Sequence, residues 1–198
     1  MVYIDGVFAP ELSEDRADLP LHIIHIGKIT GDVNWFIDMN EQQDVFLTTR
    51  IETEHDTKIR IEINTNLPNL LFDGKIFVKN TGNLMLDIKA NNNSSETKVI
   101  CKTKLFATKN SENILTGISD IPSDVLDAET NISFSALCEP NVKLLKISPQ
   151  QRISSIPKSA THDASIFRPA QAHIQYLETA GIENPELLLN QVFLEEVI

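Results

Sequence analysis

The residues best suited to metal or sulfur chemistry are a histidine–aspartate pair and a cysteine in the C-terminal part of the chain. His162 is followed by Asp163, and an imidazole beside a carboxylate can bind a metal ion or carry a proton. Cys138 ends a strand-like segment beside Glu139-Pro140, where a thiolate could accept sulfur or bind iron. A hydrogen-bonded structural histidine and a buried structural thiol are the alternatives at these positions.

The other candidate residues do not form a recognisable catalytic site. Cys101 is in register with Val99 and Leu105 of an alternating segment, so we expect it to be a small buried hydrophobe. His22 and His25 lie three residues apart in an apparent strand, which sends their side chains to opposite faces. The chain contains no P-loop, GxGxxG, HExxH, GxSxG or EF-hand motif. The sequence motifs alone therefore identify no catalytic site.

From about Val45 to Ile156 the chain alternates apolar and polar residues with a period of two. The alternation is clearest at Ile59, Ile61 and Ile63, whose neighbours are charged. It recurs in short segments about 10–12 residues apart that are separated by clusters of Asn, Gly, Pro and Ser. This pattern predicts an all-β region. A sandwich, a barrel and a β-solenoid share it, and periodicity does not choose among them.

Beyond residue 169 the period changes to that of a helix. Ile174 and Leu177 recur at helical spacing, and Gly181 is a residue type that commonly ends a helix. Asn184 and Pro185 then form an N-cap and first-turn proline for a second helix. This tail contains five glutamates and no lysine or arginine. An acidic helix pair with apolar stripes is suited to bind a partner protein, and ordinary solvation of its charged face is the alternative.

Composition excludes several classes of function. The chain has 198 residues, 17 of them basic and 28 acidic, and the net charge of −11 disfavours nonspecific binding to nucleic acid. No segment approaches the roughly 18 apolar residues of a membrane span, and the start MVYIDGVF lacks the features of a secretion signal. Two cysteines without CxxC spacing argue against a disulfide framework. We expect a cytoplasmic protein with no nucleic-acid or membrane partner.

The segment around His162 resembles the C-terminal signature of the SufB/SufD family, the β-helical scaffold subunits of the SUF iron–sulfur cluster assembly machinery. The similar stretch is SPQQRISSIPKSATHDASIFRPAQAHIQYLETAGI, with a strand near Pro149, a His-Gly-Ala-type turn at His162 and a helix that ends at Gly181-Ile182. The closing QVFLEEVI resembles the family's last helix. VYIDGVFAPELS resembles the opening motif of the SufD branch, and GISDIPSDVLDAETNISFSALC resembles the family's last coils.

The resemblance implies a right-handed parallel β-helix over residues 41–166, an N-terminal segment over 1–40 and a helical partner-binding segment over 167–198. It implies docking of a SufC-like ABC ATPase, pairing with a SufB-like subunit or a second copy, and a transient iron–sulfur cluster or iron with no permanently bound cofactor. The implied ATPase-binding residues are Tyr176, Leu177, Gly181, Ile182, Leu189 and Phe193. The implied residues at the cluster, iron or subunit interface are His162, Asp163 and Cys138, with His162 as the metal ligand.

The sequence departs from the family at several positions. The chain is shorter than family members usually are. Ala160 stands where the SufD branch has a cysteine two residues before the histidine, and Asp163 is chemically closer to the SufB branch, which has Glu there. The SufB-type cluster-building cysteine would fall near Phe134 rather than at Cys138. These departures favour a supporting, SufD-like role over direct cluster nucleation. The resemblance therefore implies a scaffold protein that is not an enzyme.

Two other functions stay open at this stage. One is a degenerate paralogue with a structural or regulatory role and no cluster chemistry. The other is a β-helical carbohydrate-binding protein or enzyme, which needs clustered carboxylates and exposed aromatic side chains on one face. The single tryptophan, Trp35, precedes the predicted strand zone, which argues against that class.

Overall fold

A computed structural model describes residues 19–195 as a parallel β-solenoid followed by two short helices, which confirms the predicted fold class. The opening motif VYIDGVFAPELS lies outside the described residues. The strands are β1 (Leu21–Lys28), β2 (Gly31–Met39), β3 (Val45–Thr53), β4 (Thr57–Thr65), β5 (Leu71–Asn80), β6 (Asn83–Asn92), β7 (Lys98–Ala107), β8 (Glu112–Ile121), β9 (Glu129–Cys138), β10 (Leu144–Ile153) and β11 (Ser159–Phe167). The helices are α1 (Gln171–Thr179) and α2 (Pro185–Glu195).

The solenoid is a flattened coil with two sheets. The odd-numbered strands form sheet A in the order β1-β3-β5-β7-β9-β11, and the even-numbered strands form sheet B in the order β2-β4-β6-β8-β10. Each strand pairs in parallel with the strand two places along the chain, so one strand from each sheet makes one turn. The coil makes about five turns. Parallel pairing without intervening helices leaves the interior between the two sheets as the core.

Successive turns differ in length. In sheet A, Leu21 pairs with Val45, an offset of 45 − 21 = 24 residues. The offset is 72 − 45 = 27 at Phe72 and 130 − 99 = 31 between Val99 and Thr130. The difference arises in the strand lengths and in the turns, which range from two residues between β5 and β6 to seven between β8 and β9. A repeat of fixed length is therefore absent from the sequence although the strands stack in register.

Alternate residues of every strand face the core and stack in rows across the turns. One row of sheet A runs through Ile23, Leu47, Gly74, Cys101 and Ile132. Cys101 is fully buried in this row, which confirms that it is a core residue. Burial, aided by the nearby Asp73 carboxylate, raises the pKa of Cys101 to about 12 and keeps it a thiol. Stacked aliphatic rows of this kind hold the two sheets together.

The first turn of the solenoid begins earlier than the predicted boundary at residue 41. β1 and β2 pair in register with β3 and β4, so the solenoid extends to Leu21. Trp35 lies in β2 and is 2% exposed, with the His25 ring edge-on at 5.3 Å between ring centroids. The only tryptophan of the chain is therefore a core residue and cannot serve as a stacking platform for a ligand.

Polar side chains in the turns also stack in register. Asn66 donates a 2.7 Å hydrogen bond from its amide nitrogen to the side-chain oxygen of Asn40, and Asn93 donates to Asn66 in the same way at 2.9 Å. Ladders of this kind recur where identical turns lie one above another, because each amide can donate to one neighbour and accept from the other. They fix the register of the turns.

Candidate functional site

His162 lies in the middle of β11, the terminal strand of sheet A. The family resemblance predicted a turn at this position, and the structure corrects that prediction: residues 159–167 pair without interruption with β9. His162 is opposite Ile132, and therefore continues the inward-facing row that contains Cys101. No strand of the described residues covers β11 on its other side, so the histidine is exposed at the end of the core.

His162 and Asp163 are directed to opposite faces of the sheet because consecutive residues of a strand alternate. Asp163 is opposite Ser133, an outward-facing residue, whereas His162 is opposite the buried Ile132. The pair therefore does not form one chelating group within this chain. His162 faces the end of the core, and Asp163 faces the outer surface of sheet A.

Cys138 is remote from both of these residues. It is the last residue of β9, and the register of β11 places it beside Arg168 rather than beside His162. Cys138 lies six residues further along β9 than Ile132, the residue opposite His162, which corresponds to about 20 Å at the usual rise per residue. Burial raises the pKa of the Cys138 thiol, while the Arg168 guanidinium acts in the opposite direction. Cys138 and Arg168 line a cavity of about 330 Å³ at the end of the strands.

The structure therefore does not unite the three predicted cluster residues in one site. Within residues 19–195, no group of three His, Cys, Asp or Glu side chains is close enough to hold a metal ion. His162 and Asp163 could act as single ligands to a group shared with another chain. Cys138 is 2% exposed at the end of β9, where it belongs to the core beside the helix pair.

The end of the solenoid that carries His162 is open. β10 and β11 are the last strands of their sheets, and each is hydrogen-bonded on one side only among the described strands. Ile153, Ile156 and Ile166 at this end are exposed, Ile156 to 85%. Unpaired strand edges beside apolar side chains favour association with another sheet.

The helix pair packs on the outer face of sheet A. Ile174 of α1 is buried, and with Leu189 of α2 it lines a small cavity against Phe106 and Leu137, outward-facing residues of β7 and β9. The Phe193 ring lies edge-on to the Phe167 ring, with centroids 6.0 Å apart. These contacts attach the pair to the side of the solenoid and leave its open end uncovered.

The predicted ATPase-binding residues divide into two sets. Tyr176 is 72% exposed on α1, and Leu177 and Ile182 are partly exposed beside it. Gly181 has a φ of +87° just after α1, which confirms that it ends the helix. The other two residues, Leu189 and Phe193, are partly buried and face the solenoid. Among the predicted ATPase-binding residues, those of α1 and the turn after it are therefore the more accessible to a partner.

A groove of about 650 Å³ lies between α2 and sheet A, and sequence reasoning missed it. Its lining comprises Lys104, Ser135, Leu137, Ile166, Phe167, Arg168, Pro169, His173, Leu189, Val192 and Phe193. Lys104 donates a 2.6 Å hydrogen bond to the Phe193 carbonyl oxygen, and its ammonium lies 5.0 Å from the centre of the Phe193 ring. Two residues of the sequence could have indicated it. Phe106 and Phe167 are apolar, although the alternation predicts polar, outward-facing residues at their positions.

No protein-family model matches the chain, and no curated protein is significantly similar to it. The SufB/SufD resemblance therefore depends on the motifs quoted above. Among residues 19–195, no helix has the length and apolar character that a membrane span requires.

Proposed function

We propose that this protein is a non-catalytic, SufD-like scaffold subunit in iron–sulfur cluster assembly. It docks a SufC-like ABC ATPase through its helix pair and joins a SufB-like subunit, or a second copy of itself, at the open end of the solenoid. The proposal rests on the motifs around His162 together with the position of that residue. A potential iron ligand at an unpaired sheet edge is well placed to share a cluster or an iron ion with another subunit.

The helix pair supports the ATPase part of the proposal. Its exposed side carries Tyr176, and an exposed aromatic residue is a common anchor in protein interfaces. Its inner side is held to the solenoid by Phe193, so a partner bound at α1 would be connected rigidly to the scaffold. Motion driven by nucleotide hydrolysis in the ATPase could then be transmitted to the end of the coil.

Copurification tests the docking. We expect the wild-type chain to retain an ABC ATPase from the organism's own extract and Tyr176→Asp to lose it, because a charge replaces the aromatic anchor. Phe193→Asp should lose it as well, since the contact with Phe167 fixes α2. Phe36→Asp is the matched control: Phe36 is also an exposed aromatic residue but lies in β2, on sheet B. If the wild type retains no such ATPase, the proposal fails.

Iron retention tests the role of His162. After anaerobic coexpression with the neighbouring subunits, we expect the wild-type complex to contain iron or cluster and His162→Ala to contain less, because the mutation removes a ligand. His55→Ala, a change of an exposed turn histidine, should have no effect. Equal iron in all three would remove His162 from the site.

One observation favours the second candidate, a structural or regulatory paralogue without cluster chemistry. Cys138 and His162 lie about 20 Å apart, so this chain alone does not assemble them into a ligand set. Such a paralogue would retain the ATPase but contain no iron in any variant. The two experiments together therefore separate the two candidates.

A further inference from the structure

The outer face of sheet A becomes apolar where its last three strands end. Phe106, Leu137 and Phe167 are register partners on β7, β9 and β11, and all three face outwards. The helix pair covers the first two, which are 5% and 6% exposed, but leaves Phe167 51% exposed. An apolar strip therefore continues from beneath α2 into the groove of about 650 Å³.

This groove has the size and lining of a small-molecule site. Ligand sites usually have volumes of about 300–1,000 Å³, mainly apolar walls and a few polar groups that fix orientation. Phe167, Phe193 and Val192 supply apolar walls here. Val192 is itself exposed, so this side of the groove is accessible from solvent.

The charged side chains among the described residues that line the groove are basic. They are Lys104 and Arg168, and His173 also lines the groove. This contrasts with the net charge of −11 for the whole chain. Arg168 is exposed at the end of β11, and its planar guanidinium can hold a carboxylate through two parallel hydrogen bonds.

From this arrangement we infer that the groove binds an amphipathic monoanion, a molecule with an extended apolar body and one carboxylate. The apolar body lies along Phe167 and Leu137 beneath α2, and the carboxylate meets Arg168 at the end of the strand. Apolar burial supplies affinity, and the Arg168 guanidinium selects for negative charge. The inference does not depend on the proposed ATPase or on iron.

Calorimetric titration of the full chain with sodium decanoate, below its micelle concentration, tests the inference. We expect saturable binding with one site per chain. Decan-1-ol and decyltrimethylammonium, which have the same chain without the anion, should bind at least about tenfold more weakly, equivalent to about 1.4 kcal/mol. Arg168→Gln and Val192→Trp should each weaken decanoate binding about tenfold, the first by removing the anchor and the second by filling the groove.

The control variant is Arg152→Gln, which removes an exposed arginine from β10 on the other sheet and should leave binding unchanged. Thermal melting verifies that each variant is folded, and the exposed position of Arg168 keeps the test valid if the tryptophan variant does not fold. The inference is overturned if decanoate does not bind saturably, as expected for a groove that accepts only a partner chain. It is also overturned if decan-1-ol binds equally well, or if both arginine variants bind alike.

Discussion

At the scale of single residues, Asn80 is the polar side chain most tightly integrated into the core. It is fully buried at the end of β5 and accepts hydrogen bonds from the Thr53 hydroxyl at 2.7 Å and the Gly82 N–H at 3.0 Å. It donates to the Asn113 side-chain oxygen at 2.7 Å. A buried group that loses its partner costs about 1–3 kcal/mol, so one side chain that serves several such groups has a large effect.

We predict that Asn80→Leu lowers the free energy of unfolding by about 2–4 kcal/mol, because the side chain keeps its approximate volume but no longer bonds to the Thr53 hydroxyl, the Gly82 N–H and the Asn113 side-chain oxygen. Urea denaturation followed by circular dichroism measures the change. Asn66→Leu is the control, since Asn66 makes similar ladder hydrogen bonds but is exposed. It should lose about 1 kcal/mol or less. Equal losses at the two positions would show that burial of the network is not important.

At the scale of strands and turns, Glu129 connects three neighbouring strands of sheet A. Its carboxylate contacts the Lys158 ammonium at 2.7 Å and the Lys98 ammonium at 3.3 Å, at the start of β9 and beside the starts of β11 and β7. The hydrogen bond from Lys158, with a further one from Lys98, lowers the pKa of Glu129 below its ordinary value of 4.5, although desolvation opposes this. The ionised form is therefore favoured in the folded chain.

A lowered carboxyl pKa stabilises the fold above the unfolded-state value and loses that contribution as the pH falls through the folded-state value. We predict that Glu129→Gln reduces stability near neutral pH by about 1 kcal/mol or less, since the pair is near the surface. The difference from wild type should shrink as the pH falls below the ordinary pKa of 4.5 and disappear once the pH is below the lowered folded-state pKa of Glu129. Urea titrations over a series of pH values measure it. Glu112→Gln, at a residue without an ion pair among the described residues, should give parallel curves, and a constant difference for Glu129→Gln would contradict the prediction.

The strands were predictable from sequence because a buried face forces alternation, as at Ile59, Ile61 and Ile63. Their pairing was not, because alternation reports which face is buried and not which strand lies alongside. The segment around His22 and His25 was expected to be a strand, but neither β1 nor β2 was assigned to the solenoid, because the apolar run from Leu21 to Ile26 masks the alternation in β1. The resemblance supplied the solenoid that periodicity left open.

The candidate site was predictable only in part, for a reason that also lies in the register. His162 is opposite a residue 162 − 132 = 30 positions earlier in the chain. Cys138 is only 24 positions earlier, so it lies further along β9 and not opposite His162. The number of residues between Cys138 and His162 therefore does not match the length of a solenoid turn, and the two side chains do not meet. The face on which the helices pack was not predicted either, because the residues that they cover, Phe106 and Leu137, belong to strands distant from the helices in the chain.

At the scale of the whole molecule, the open end is a consequence of the architecture. Every turn of a solenoid is covered by the next, so the last turn needs a polar cap or a partner. Ile153 continues the inward row of Ile121, yet Ile121 is fully buried and Ile153 is exposed. This end has apolar side chains and unpaired strand edges where a self-sufficient solenoid would have polar residues. It is therefore suited to join another subunit.

We predict that the double variant Ile153→Lys, Ile156→Lys abolishes association through this end, because two ammonium groups beside the strand edges oppose both apolar contact and strand pairing. Native mass measurement should give a dimer for the wild type, with itself or with a SufB-like subunit, and a monomer for the variant. Leu126→Lys, at an exposed apolar residue in the turn before β9, should associate like the wild type. A wild-type chain that stays monomeric at every concentration, alone and with the second subunit, would show that the exposed end of the core is stable in water without a partner.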